Sequence, residues 1–188
     1  MNSNSNHRIT TISNGLRSLE QYLPRNSNIN IPIPPGVIRT VDELLNEYSF
    51  ISDNKLRKNI CYAVESLDFY KWLINRFNIY GPVSSYLFKT GIILVDMIVE
   101  AITRDFLKQK TINPSNKHSK NISKLSPMGV SEKMCVSIKI LHSRRNNIHL
   151  HLVTDLEANK YTLRDWNHSI LCLRAYREHI RELIKNKS

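Results

Sequence analysis

Apolar residues that recur three and four positions apart constrain this chain more than any other feature. After the phrase TVDE they fall at Val41, Leu44, Leu45 and Tyr48. They continue at Leu56, Ile60, Ala63, Val64, Leu67, Tyr70, Leu73 and Ile74, then at Leu87, Leu94, Ile98, Ile102 and Phe106. A further series runs through Met134, Ile138, Leu141, Ile148 and Leu152, and a last one through Ile170, Leu171, Leu173, Tyr176, Ile180 and Leu183. This is the period of a helix with one buried face, and no stretch alternates as a strand would. Start signals stand where they should. Thr40 with Glu43 forms a capping box, Ser52 or Asp53 opens the second helix, and Pro82 suits a first turn. Ser131 and Thr162 open the last two. The pattern predicts an all-α protein, an antiparallel helical bundle.

The bundle does not begin at residue 1. Residues 1–39 start with MNSNSNH and run into INIPIPPG, a poor core former that reads as a loosely attached arm with one short helix around Leu16–Leu23. Residues 40–80 read as an N-terminal helical extension and 82–188 as the bundle proper. Between them and the last helices, residues 111–130 read as a basic, polar loop longer than a bundle connection needs. No apolar run has the length of a membrane helix, and the polar N-terminus lacks the apolar centre of a secretory signal, so a cytoplasmic protein without a membrane partner is expected. The three cysteines are scattered and form no CxxC, which points away from disulfides and structural zinc.

Charge narrows the function. The formal net charge is +11, and it is uneven. Residues 37–81 hold six basic and six acidic side chains, whereas 111–153 hold seven basic and one acidic. A local positive field of this kind attracts polyanions, RNA among them. At its centre lies HSRRNNIHLHL, residues 142–152. Arg145 and His149 are four apart, Arg144 and His151 seven apart, so each pair shares a helix face. Arginine matches phosphate oxygens with a planar fork, histidine exchanges protons near neutral pH, and Asn146 can orient either. Those are the ingredients for cutting RNA without a metal: a histidine takes the 2′-OH proton, the oxygen attacks phosphorus, and arginine stabilises the developing charge. His149 and His151, two apart, would point roughly 200° apart on a helix, which suits no shared metal. No metal and no cofactor is expected. Exposed Arg, Asn and His can also simply solvate a helix, but Arg145 falls on the apolar phase, where a charge needs a partner, a subunit interface or a ligand.

RRNNIHLH, ahead of a closing amphipathic helix, resembles the HEPN domain (higher eukaryotes and prokaryotes nucleotide-binding). That family carries an arginine and a histidine separated by four to six residues, commonly with Asn after the arginine. Arg145–Asn146 with Ile148 matches its R-N-x-I phrase. Arg145 to His151 leaves five residues between, and Arg144 to His149 leaves four. DMIVEAITRDFL (96–107) is similar to an early bundle helix of the family, and YTLRDWNHSILCLRAYREHIREL to its closing helix, so the resemblance covers about residues 82–188. His149 stands where the family has a small apolar residue and Leu150 where it has the histidine. Arg145, Asn146 and His151 are therefore taken as catalytic, with His149 and Arg144 as supporting or alternative members. The resemblance implies a metal-independent endoribonuclease of the toxin–antitoxin, phage-defence or RNA-processing kind. It also implies a homodimer with a composite site at the interface, and an antitoxin or regulatory protein as a further partner. A non-catalytic RNA- or nucleotide-binding module, or a partner-docking bundle, is the alternative.

Several other residues have two readings. Asp96 and Glu100 either orient the motif across a cleft or form an ordinary ion pair. Trp166 is a core anchor or a base-stacking platform. Lys117, Lys120 and Lys124 with His118 either track an RNA backbone or are solvated. Arg174, Arg177 and Arg181, interleaved with Glu178 and Glu182, read as an exposed face. His142, one turn before Arg145, is not expected to touch substrate.

Overall fold

A computed structural model describes residue 14 and residues 36–146 and 160–186. The chain divides into two compact units, Met1–Pro34 and Pro35–Ser188, and every element below belongs to the second. The helix expected around Leu16–Leu23 lies outside the described residues, as do Ile148, His149, His151 and Leu152. The described residues are helical, without a strand: α1 is Val41–Glu47, α2 Asn54–Arg76, α3 Gly81–Gln109, α4 His118–Ser123, α5 Glu132–Asn146 and α6 Leu163–Lys185. A 3-10 turn, Ser126–Met128, stands between α4 and α5.

The helix starts follow from local chemistry. Glu43 N–H donates to Thr40 Oγ1 (3.3 Å) while Thr40 N–H donates to Glu43 Oε2 (2.8 Å). Thr162 and Asp165 repeat this reciprocal cap at α6, at 3.2 and 3.1 Å. Asp53 accepts from the amides of Lys55 (2.9 Å) and Leu56 (3.0 Å), and Ser131 Oγ accepts from that of Met134 (3.3 Å). Each bond satisfies an amide that a helix start leaves without a partner. Helix α3 has no side-chain cap; Pro82 supplies its first turn, entered through Gly81 at φ +66°, a value glycine adopts without strain.

Helix α3 organises the packing, touching α2, α4, α5 and α6. Its buried Ile92, Val95, Ile98, Val99, Ile102, Phe106 and Leu107 join Ile138 and Leu141 of α5 and Trp166, Leu173, Tyr176 and Ile180 of α6 in one cluster. Leu44, Tyr48, Ile51, Ile60, Cys61, Val64 and Leu67 belong to the same cluster, so residues 40–80 share the core of the later helices. Burying an aliphatic side chain of this size contributes about 1.5–3 kcal/mol. Polar pins set the register. Tyr176 Oη and Thr103 Oγ1 share a buried hydrogen bond of 2.8 Å. Asp105, 1 % exposed, accepts from Ser52 N–H (3.0 Å), Ser52 Oγ–H (2.7 Å) and Gln109 Nε2 (2.6 Å).

Two surface readings change. Residues 111–130 are not a free loop. Asn121, fully buried, exchanges two hydrogen bonds with the backbone of Ser115, at 2.7 and 2.8 Å, and Ile122, Leu125 and Val130 enter the core. Arg177 is not on a solvated face. It pairs with Glu47 and stacks over the Tyr48 ring, while Arg39 binds both Glu47 (2.8 Å) and Asp68 (2.7 Å). The alternating charges of α6 thus include a clamp onto α1, because the first helix brings an acid to meet them.

Candidate functional site

The two arginines of the motif leave α5 in different directions. Arg144 Nη2 pairs with Asp165 Oδ1 at 2.8 Å, and Tyr161 Oη–H donates to the Arg144 carbonyl at 3.4 Å. Both contacts tie the end of α5 to the start of α6. Arg145 instead faces α3. Its Nη1 donates to Glu100 Oε2 at 3.2 Å and lies 3.6 Å from Asp96 Oδ2. The phase explains this: Arg145 is four residues past buried Leu141, so its side chain leaves the helix on the core side. The charge there has carboxylate partners within the chain, and no subunit interface is needed to account for it.

Asp96 is completely buried and gathers more than Arg145. His142 Nδ1 and Asp96 Oδ2 are hydrogen-bonded at 3.1 Å. The His118 ring stands edge-on to His142, with centroids 4.8 Å apart. His118 opens α4 and is 4 % exposed. Burial pushes its imidazole down to about 4; the Asp96 carboxylate pulls the other way and does not prevail. His118 is therefore neutral at physiological pH. Neither of its ring nitrogens, nor Asp96 Oδ1, has a hydrogen-bond partner among the described residues. Cys172 of α6 is buried beside this group, and burial, reinforced by Asp96, pushes its thiol up to about 11.

Outward from Arg145 lies an open groove lined by Leu56, Met97, Glu100, Arg104, Lys108 and Arg145 among others. Met97 is half exposed there. The lining is charge-balanced, with Asp53, Glu100 and Asp105 beside the three cations Arg104, Lys108 and Arg145.

Of the residues taken as catalytic, Arg145 and Arg144 are placed as above and Asn146 ends α5. The Asn146 side chain, His149 and His151 lie outside the described residues. Asp96 and Glu100 do meet the motif. Trp166 is 2 % exposed and lies across Gly91, a core anchor. Lys117 and Lys120 are exposed, but Lys124 Nζ donates to the Asn113 carbonyl at 2.8 Å. The sequence reading placed His118 in a basic loop and set His142 aside, and did not foresee that the two meet Asp96. One signal existed for His118: with Ile122 and Leu125 it sits at helical spacing, the buried side of a one-and-a-half-turn helix. Set against known proteins, the chain matches no family model, no curated protein and no solved structure.

Proposed function

We propose that the chain is a metal-independent endoribonuclease of the HEPN kind. The observation that carries this reading is the seat of Arg145: on the last turn of α5, half-buried, aimed by Glu100 and Asp96, at the edge of an open groove, and directly ahead of Asn146 and the histidine-bearing segment. A guanidinium fixed by two carboxylates is positioned before substrate arrives, which is what stabilising a transient charge requires. In the reaction, His151 or His149 takes the 2′-OH proton, the 2′-oxygen attacks the adjacent phosphorus, the bond from phosphorus to the 5′-oxygen breaks, and the histidine returns its proton to that oxygen. The products are a 2′,3′-cyclic phosphate and a 5′-hydroxyl end. Arg145 neutralises charge on the pentacovalent phosphorus, and Asn146 orients it. Arg144, engaged by Asp165, serves the fold. The homodimer, the antitoxin or regulatory partner and the defence, toxin or RNA-processing setting rest on the family resemblance alone.

The test is incubation of purified protein with total RNA and a defined tRNA in EDTA, beside Arg145→Ala and His151→Ala. Cleavage by the wild type and loss of it in both variants, with folding retained, supports the reading. Full activity in both variants removes those residues from the mechanism. The positive surplus of residues 111–153 also favours a second reading, an RNA-binding module that does not cut. Salt-dependent binding with RNA left intact after long incubation would select it.

A further inference from the structure

Three side chains from three separate elements, Asp96 of α3, His118 of α4 and His142 of α5, each offer a ligand atom, and these atoms lie within 4.8 Å of one another. We propose that they form a binding site for a divalent transition-metal ion of the zinc class, one that pins the 111–130 connection to the bundle. The inference goes beyond the proposed function and does not depend on it.

The carboxylate and one imidazole are more than nine-tenths buried, so the donors are not a chance meeting of surface groups. Asp96 Oδ1 and both nitrogens of His118 have no hydrogen-bond partner among the described residues, although leaving such atoms unsatisfied in a core is costly. A cation at the centre of the group gives them one. Ligand atoms around a zinc-class ion lie at about 2.0–2.2 Å from it, so small side-chain rotations close the present spacing. Two imidazoles and one carboxylate suit zinc or cobalt rather than magnesium or calcium, which take oxygen donors. His118, already neutral, is in its metal-binding form. A neutral imidazole binds the ion through one ring nitrogen and keeps its proton on the other. Three protein ligands leave a further position for water. Arg145 opposes the ion, lying 3.6 Å from Asp96 Oδ2, but it keeps its closer partner, Glu100. Cys172 is close enough for Asp96 to affect its thiol, yet it is not part of the donor group.

The purified full-length protein, stripped with EDTA and dialysed, is titrated with cobalt(II) chloride under calorimetry and visible absorbance, then with magnesium chloride. Expected are one cobalt per chain, d–d bands without thiolate charge transfer, a raised urea midpoint and no magnesium binding. His118→Gln and His142→Gln should each weaken cobalt binding by more than about 100-fold, beyond what supporting residues of metal sites cost. Should a variant fail to fold, X-ray absorption on the zinc-loaded wild type decides, with imidazole scattering from two histidines expected. Failure to take up cobalt, thiolate bands, unchanged affinity in both folded variants or a shell lacking imidazole would each overturn the proposal. None of these readouts involves RNA, so the ribonuclease reading stands or falls separately.

Discussion

Arg145 reaches from the last turn of α5 to Glu100 on α3, 3.2 Å from Nη1 to Oε2, while the adjacent Arg144 turns to Asp165 on α6. Neighbouring identical residues therefore have different partners, and substitution should separate them. Arg145→Ala is expected to lower RNA cleavage by on the order of 100-fold or more, the cost of losing one donor to a developing anion. Its effect on stability should be about 1 kcal/mol or more, because it takes this cation from both partly exposed Glu100 and fully buried Asp96. Arg144→Ala should cost about 1 kcal/mol in urea unfolding while sparing most cleavage, so that activity rather than stability separates the two. Equal loss of activity in both would show that Arg144 also meets phosphate.

Asp105 should be among the most sensitive buried polar positions. Three donors from Ser52 and Gln109 converge on it, and Gln109 also reaches the Phe50 carbonyl at 3.0 Å. Asp105→Ala strands those donors and frees the turn that feeds α2. The expected loss is on the order of 3 kcal/mol in urea unfolding. A loss well under 1 kcal/mol would mean that water replaces the carboxylate without penalty.

The starts of four helices were legible because caps are local. Thr40, Asp53, Ser131 and Thr162 each act on an amide two or three residues away, so the sequence carries the whole interaction. The cluster around Asp96 was not legible, because its members are 22 and 46 residues from Asp96 along the chain and meet only through packing. His118 was read with its lysine neighbours as part of a basic loop. Its spacing with Ile122 and Leu125 was the one apolar cue, and the pairing of Asn121 with the Ser115 backbone, which holds the same segment, is a polar device that such spacing does not reveal. Arg177 was read as exposed for a similar reason: its partner Glu47 lies at the other end of the sequence. Arg145 was flagged correctly as a charge on an apolar phase, since period alone reveals that, but period cannot say whether the partner comes from the same chain.

Gly91→Ala tests a close contact of α3 with α6 in the core. A β-carbon there would stand 2.1 Å from Trp166 Cζ3 and 2.8 Å from Cε3, and the ring is too deeply buried to move alone. Alanine gains about 1 kcal/mol over glycine in a helix interior. Overpacking commonly costs about 1–3 kcal/mol, and a clash this close belongs at the upper end. The variant should unfold at lower urea by circular dichroism. An unchanged or higher midpoint would show that α3 and α6 slide apart freely.

Asp165 makes the start of α6 acid-sensitive. Burial works to raise its carboxyl, but the hydroxyl and amide of Thr162 donate to it and Arg144 lies beside it, and together they hold it below the usual aspartate range. A carboxyl that ionises more readily in the folded state adds stability that is complete above its unfolded value, about 3.9. That contribution is lost as pH falls through the lower folded value. The wild type should therefore exceed Asp165→Asn by about 1 kcal/mol at neutral pH, the worth of a cap and a half-buried pair. The gap should hold down to about pH 5 and close below about pH 4, as carboxylate and amide become alike in charge. Urea midpoints of both proteins across that range give the measurement. A gap that stays constant into acid would mean that Asp165 acts through shape alone, and that Arg144 is not held by its charge.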